Sequence, residues 1–251
     1  NGFHPGAVTY VFGEKVRIRT APEIRAGNVS DTLGPGTEVR IISVHEKALV
    51  MNGINENWVY VEYSPGKKGK KGYVWGALLA VGAAKKGNDL ILAGIRGYSA
   101  DKGLEAECRL VRAGKIISSL PVKLHYLPEG GELTYRYSVT MALYDSRGLS
   151  GLDAVVGIYS EYGACGYPYG NVWVGLAANR LYYLETDTSV SEGGVFHVEE
   201  RLVFPADDSS LVNRVRRVTE SSDFDEAIND YKLSERKEKL YMWKGYRLQE
   251  E

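Results

Sequence analysis

The chain has 251 residues, 44% hydrophobic and 25% charged, with 31 basic against 32 acidic side chains and a formal net charge of −1. This is the make-up of a folded protein, and the length suits two domains or one large β-domain. No basic excess draws it to nucleic acid or anionic lipid, and no run approaches the ~20 apolar residues of a membrane helix.

The chain opens at Asn1 without a Met or an apolar leader, so it reads as a mature or trimmed product. Tyrosine is used heavily, 18 residues against 5 phenylalanines. A ring that packs while its hydroxyl reaches water suits half-buried strands. Period-two alternation begins early, with Val16, Ile18 and Thr20 set against Lys15, Arg17 and Arg19. Turn signals follow at Gly34-Pro35-Gly36 and Ser64-Pro65-Gly66. The basic run Lys67-Lys68-Gly69-Lys70-Lys71 reads as a hairpin tip whose charge protects a strand edge. Residues 82–88, Gly-Ala-Ala-Lys-Lys-Gly-Asn, are small and basic, and predict a linker.

Beyond that point Tyr135, Tyr137, Val139, Met141 and Leu143 alternate with polar or small residues. Phe196, Val198, Leu202 and Phe204 share a face with Glu200, opposite His197, Glu199 and Arg201. Further turns are predicted at Glu129-Gly130-Gly131, Asp145-Ser146-Arg147-Gly148 and Glu192-Gly193-Gly194. Residues 209–218 suit a helix or a strand, because their valines are β-branched. Residues 224–236 read as the polar tip and flank of a hairpin returning through residues 239–243. Strand-rich units recur loosely, which fits a sandwich, a meander or propeller-like units.

Residues 11–81 carry four ordered blocks: Val16-Arg17-Ile18-Arg19-Thr20-Ala21-Pro22, then Thr32-Leu33-Gly34-Pro35-Gly36-Thr37-Glu38-Val39-Arg40-Ile41-Ile42, then Trp58-Val59-Tyr60-Val61, then Gly72-Tyr73-Val74-Trp75-Gly76-Ala77-Leu78-Leu79. Together they resemble the bacterial SH3 family, SH3b. The family often has Asn where Arg17 stands, and residues 46–57 form an unusually long insert before the Trp strand. The resemblance implies an SH3-like barrel over 11–81; with the linker composition at 82–88 and the alternation beyond it, the chain is expected to be all-β, with a larger antiparallel β-domain over 89–251. The resemblance further implies an exported cell-envelope protein, periplasmic, surface-bound or secreted, with any signal peptide removed and a lipid anchor left open. Such a protein binds a cell-wall peptide or peptidoglycan, or an envelope protein. Aromatic grooves are the usual recognition surface of SH3-like barrels, which makes Tyr60, Tyr63, Tyr73 and Trp75 the candidate ligand residues. In the alternative the barrel packs on the second domain and these rings are interior. Residues 86–251 resemble uncharacterised exported all-β domains only loosely, through Ala164-Cys165-Gly166-Tyr167-Pro168.

SH3b domains often accompany cysteine peptidases, which need a thiol at a helix start and a histidine beside it. Cys165 is flanked by Gly and Pro, and a strand is predicted next. Cys108 shares a face with Leu104, Ala106 and Leu110 and reads as buried. A Cys108–Cys165 bridge stays open. The four histidines have no paired spacing and no CxxC occurs, so no metal site or cofactor is expected. No catalytic residue is assigned; paired carboxylates meet only in three dimensions.

Overall fold

A computed structural model describes residues 3–63, 69–99, 101, 103–125 and 137–251. These residues form nineteen strands in four sheets, with every sheet pairing antiparallel. They divide into two compact units, residues 3–123 and residues 124–125 with 137–251. The predicted turns at residues 64–66 and 129–131, Lys67 and Lys68 of the basic run, and Tyr135 lie outside the described residues. No helix among the described residues is long and apolar enough to cross a membrane.

The first unit opens with β1 (Val8–Tyr10), β2 (Val16–Arg19), β3 (Val29–Leu33), β4 (Glu38–Met51), β5 (Ile54–Tyr63) and β6 (Lys70–Trp75). They form one sheet in the order β1-β4-β5-β6-β2-β3. The period-two pattern sends Val16, Ile18, Val39, Ile41, Val59, Val61, Tyr63 and Val74 into one apolar cluster. Single 3-10 turns lie at Ala26–Asn28 and Gly76–Leu78. After the second, Leu79 bridges back to Val11, and the Ala80 amide donates to the Tyr10 carbonyl at 2.8 Å.

The segment expected as a linker is a strand. β7 (Gly82–Lys86) pairs with β8 (Asp89–Ser99), which pairs with β9 (Gly103–Arg112) and then β10 (Lys115–Val122). The small side chains that looked like linker composition have a packing role. Ala83 lies against the cluster of Phe12, Ala80, Leu92 and Val111, which joins the two sheets of this unit. The second sheet therefore belongs to the first unit, and the boundary falls between Lys123 and Leu124.

The second unit holds two meanders. β11 (Tyr137–Tyr144), β12 (Ala154–Tyr162), β13 (Gly170–Ala177) and β14 (Arg180–Thr186) make one sheet. β15 (Val190–Glu192), β16 (Phe196–Val203), β17 (Arg214–Asp225), β18 (Asp230–Lys244) and β19 (Arg247–Glu250) make the other. Their shared core includes Leu152, Val155, Trp173, Phe204, Val215 and Trp243. The hairpin predicted around residues 224–243 is β17–β18, and residues 214–218 take the strand alternative.

Gly94 in β8 marks a close approach in the first unit, because a Cβ there would overlap the Phe12 ring. A strand glycine at such a contact is a packing requirement. Gly94→Ala is expected to lower stability by ~1–3 kcal/mol through overpacking. Phe12→Leu in the same background should recover part of that loss, giving a non-additive cycle. Urea unfolding of the four proteins measures it, and a fully additive cycle would contradict the contact.

Candidate functional site

The four aromatic candidates separate by depth. Tyr63 and Trp75 are 2% and 3% exposed and belong to the interior. Tyr63 ends the inward row of β5, where its hydroxyl lies 3.4 Å from Asp31. Lys70 donates to the same carboxylate at 2.8 Å, and that hydrogen bond holds the Asp31 carboxyl below its ordinary range. Trp75 lies opposite the equally buried Trp58 across β5–β6. Tyr60 and Tyr73, the next cross-strand pair on that face, stay half-exposed, with ring centroids 4.7 Å apart.

The long insert explains this division. In β4 the register jumps from Val44↔Val59 to Ala48↔Asn57, so residues 45–47 face Trp58 alone and two residues are extra. A bulge bends its strand. The far arm of the β4–β5 hairpin then covers the tryptophans: the Trp75 Nε1–H donates to the carbonyls of Leu49, at 3.1 Å, and Glu56, at 2.9 Å. Those bonds satisfy an indole that would otherwise be costly to bury.

The same bulge supplies a residue that alternation could not place. His45 sits edge-on to Tyr73 at 5.9 Å between centroids. Its Nδ1 accepts from the Lys47 amide at 3.0 Å, which leaves Nε2 as the donor of the neutral ring. Asn57 Nδ2 donates to the His45 carbonyl at 2.8 Å and fixes the bulge.

Backbone pairing sets Ser43, Tyr60, Tyr73 and Arg19 in one row across four strands. Arg19 is 6% exposed. Its Nη1 donates to Asn28 Oδ1 at 2.7 Å and to the Arg25 carbonyl at 2.9 Å, tying down the loop after β2. The Tyr60 and Tyr73 hydroxyls have no partner among the described residues. The result is a narrow aromatic strip with two phenols and an imidazole free to bond.

The second unit brings Ser160, His125 and Asp187 together in a different arrangement from a nucleophile–base pair. Ser160 Oγ accepts from the His125 backbone amide at 2.9 Å, and the His125 ring Nε2 donates to the Asp187 carbonyl at 2.9 Å. The Asp187 carboxylate accepts instead from Trp173 Nε1 at 2.5 Å and from the Asn171 amide at 2.8 Å. These bonds anchor residues 124–125 to β12 and to the segment after β14.

Both cysteines are free thiols: Cys108 is buried, and Cys165 is exposed in the turn after β12. In the Gly-rich segment around Cys165, Tyr162 packs on Tyr167 at 4.7 Å, and Trp173 packs on Phe204 at 5.0 Å. No group of three or more His, Cys, Asp or Glu able to hold a metal ion occurs among the described residues. No family model, curated protein or solved structure matches this chain.

Burial pushes the Cys108 thiol up to about 12. A thiol reagent at pH 8 should therefore label one cysteine in the native protein and two in denaturant, and Cys165→Ser should abolish the native reaction. Native labelling of both would contradict the burial. Burial also lowers the His125 pKa, against the opposing pull of the Asp187 carbonyl. The stability from its neutral form is complete above about pH 6.5 and is lost as pH falls toward the folded-state value. Tm should fall between pH 7.5 and pH 5 more steeply for the native sequence than for His125→Gln; identical slopes would refute the assignment.

Proposed function

We propose that this chain is a non-catalytic, exported binding protein of the bacterial envelope. In this reading the first sheet is an SH3-like barrel of the SH3b kind, and it takes a cell-wall peptide across Tyr60 and Tyr73. The observation that carries the proposal is the row Ser43–Tyr60–Tyr73–Arg19 with His45 at its rim. Half-exposed rings with unbonded hydroxyls suit a ligand that has both apolar and amide surface. The strand order of the first sheet and the Val11–Leu79 bridge after a 3-10 turn support the barrel reading.

The ligand surface is smaller than the four aromatics suggested, because Tyr63 and Trp75 are interior. That burial favours the alternative, a purely structural barrel, for those two residues. It does not extend to Tyr60 and Tyr73.

Co-sedimentation with insoluble peptidoglycan tests the reading. Each ring contact is worth ~0.5–1.5 kcal/mol, so Tyr60→Ala/Tyr73→Ala should weaken retention about tenfold. Tyr182→Ala, which disturbs a stacked Tyr182–Tyr246 pair in the second unit, should leave it unchanged. If the intact protein stays in the supernatant, the proposal fails.

A further inference from the structure

The first unit also contains a cleft of about 690 Å³, remote in sequence from the tyrosine pair. One wall is the turn after β3 and the approach to β2; the other is the β9–β10 hairpin with the adjoining face of β8 and β9. Ala113 and Gly114 close that hairpin with φ of 48° and 74°, the left-handed pair a two-residue turn requires. The carbonyl of Gly114 comes close to Gly34 on the facing turn, 3.9 Å from where a Cβ would stand.

Charge in this cleft is lopsided. Lys15, Arg96, Arg109 and Lys115 line it, against Glu14 and Glu107, although the whole chain carries −1. Glu107 is already committed. Arg96 donates to Glu107 Oε2 at 2.7 Å and Arg109 donates to it at 3.0 Å. Burial pushes the Glu107 carboxyl up, but bonds from Arg96, Ser119 and Arg109 outweigh it and hold the group below its ordinary range. The two lysines have no ion-pair partner among the described residues.

Arg109 is 8% exposed, and its Nη1 and Nη2 are committed to the Phe12 carbonyl and Glu107, so it forms the floor of the cleft. Arg96 is 56% exposed and leaves guanidinium surface open toward the cleft. Leu33, Pro35 and Ile116 give the cleft an apolar side, as small-molecule sites require beside a few fixed polar groups.

We propose that this cleft binds a small molecule through an oxyanion, a phosphate or a carboxylate, held by Arg96 together with Lys15 and Lys115. Guanidinium groups match the geometry of such anions, and the exposed ammonium groups add attraction that salt screens. This site is separate from the peptide strip and does not depend on it.

The test is amide-resolved NMR titration of the full chain with inorganic phosphate and, in parallel, with citrate, at low ionic strength. Saturable shifts are expected at Gly34, Gly114 and Lys115 for at least one probe, and the stronger probe identifies the anion class. Arg109→Ala would unpair Glu107 and threaten the fold, so the exposed pair is changed instead. Lys15→Ala/Lys115→Ala should weaken binding about tenfold, while Tyr60→Ala/Tyr73→Ala leaves it unaltered. Unsaturable shifts spread over all lysines, or an unchanged affinity in the double-lysine variant, would overturn the proposal.

Discussion

Phe12 leaves the first sheet between β1 and β2 and enters the hollow that Gly94 keeps open in β8. Arg109 closes over it, with its guanidinium carbon 4.1 Å from the ring centroid and Nη1 donating 2.6 Å to the Phe12 carbonyl. A cation this deep is tolerated only when paired and hydrogen-bonded, and Glu107 provides the counter-charge. Such a pair adds little net stability over apolar packing, but removing one partner costs ~3–5 kcal/mol. The value of the arrangement is therefore positional. It fixes which face of β8–β9 meets Phe12, Ala80 and Ala83, and thereby places β7 on the first unit. Glu107 also holds Arg96 at the cleft, with Arg109 as its floor, so the same ion-pair cluster serves packing and the proposed anion site.

The second unit solves the same problem with the same chemistry. Arg147, 14% exposed, lies 4.8 Å over Phe204 and 4.7 Å over Tyr144, and its Nη2 donates 2.5 Å to Asp207. In both units a guanidinium caps an aromatic ring where two sheets share a core, and a carboxylate neutralises it. Stacking on a ring suits Arg because its planar, weakly hydrated head loses less on burial than an ammonium would. Asp187 adds a purely polar anchor: bonds to its side chain and carbonyl gather Trp173, Asn171 and His125.

The all-β class was readable because alternation is local. Val16, Ile18, Phe196 and Leu202 each carry their face assignment in their immediate neighbours. Turn chemistry marked Gly34–Gly36 and the Glu192–Gly194 corner for the same reason. The misread segment is instructive. Residues 82–86 lack large side chains, so nothing local distinguishes a linker from a strand that must lie flat against Phe12 and Leu92. The depth of Trp75 was equally hidden. Alternation puts it on the face of Tyr73, and only the arm of another hairpin, bent by residues 45–47, covers it. His45 entered the site by the same irregularity, which no period-two pattern can express. The cleft was invisible because Lys15, Arg96 and Lys115 are far apart in sequence and meet through sheet packing.

The bulge in β4 thus sets the character of the exposed strip. The bent arm seals the tryptophans and returns His45 to the rim, so what stays open is narrow, amphipathic and bordered by polar groups. Strands lie ~4.8 Å apart, so the row from Ser43 to Tyr73, which stops at the buried Arg19, runs about 10 Å across the sheet. In the proposed reading that length matches about three residues of extended chain at ~3.3 Å each. An irregularity in the β4 ladder thus decides which of the four rings are interior and which stay half-exposed.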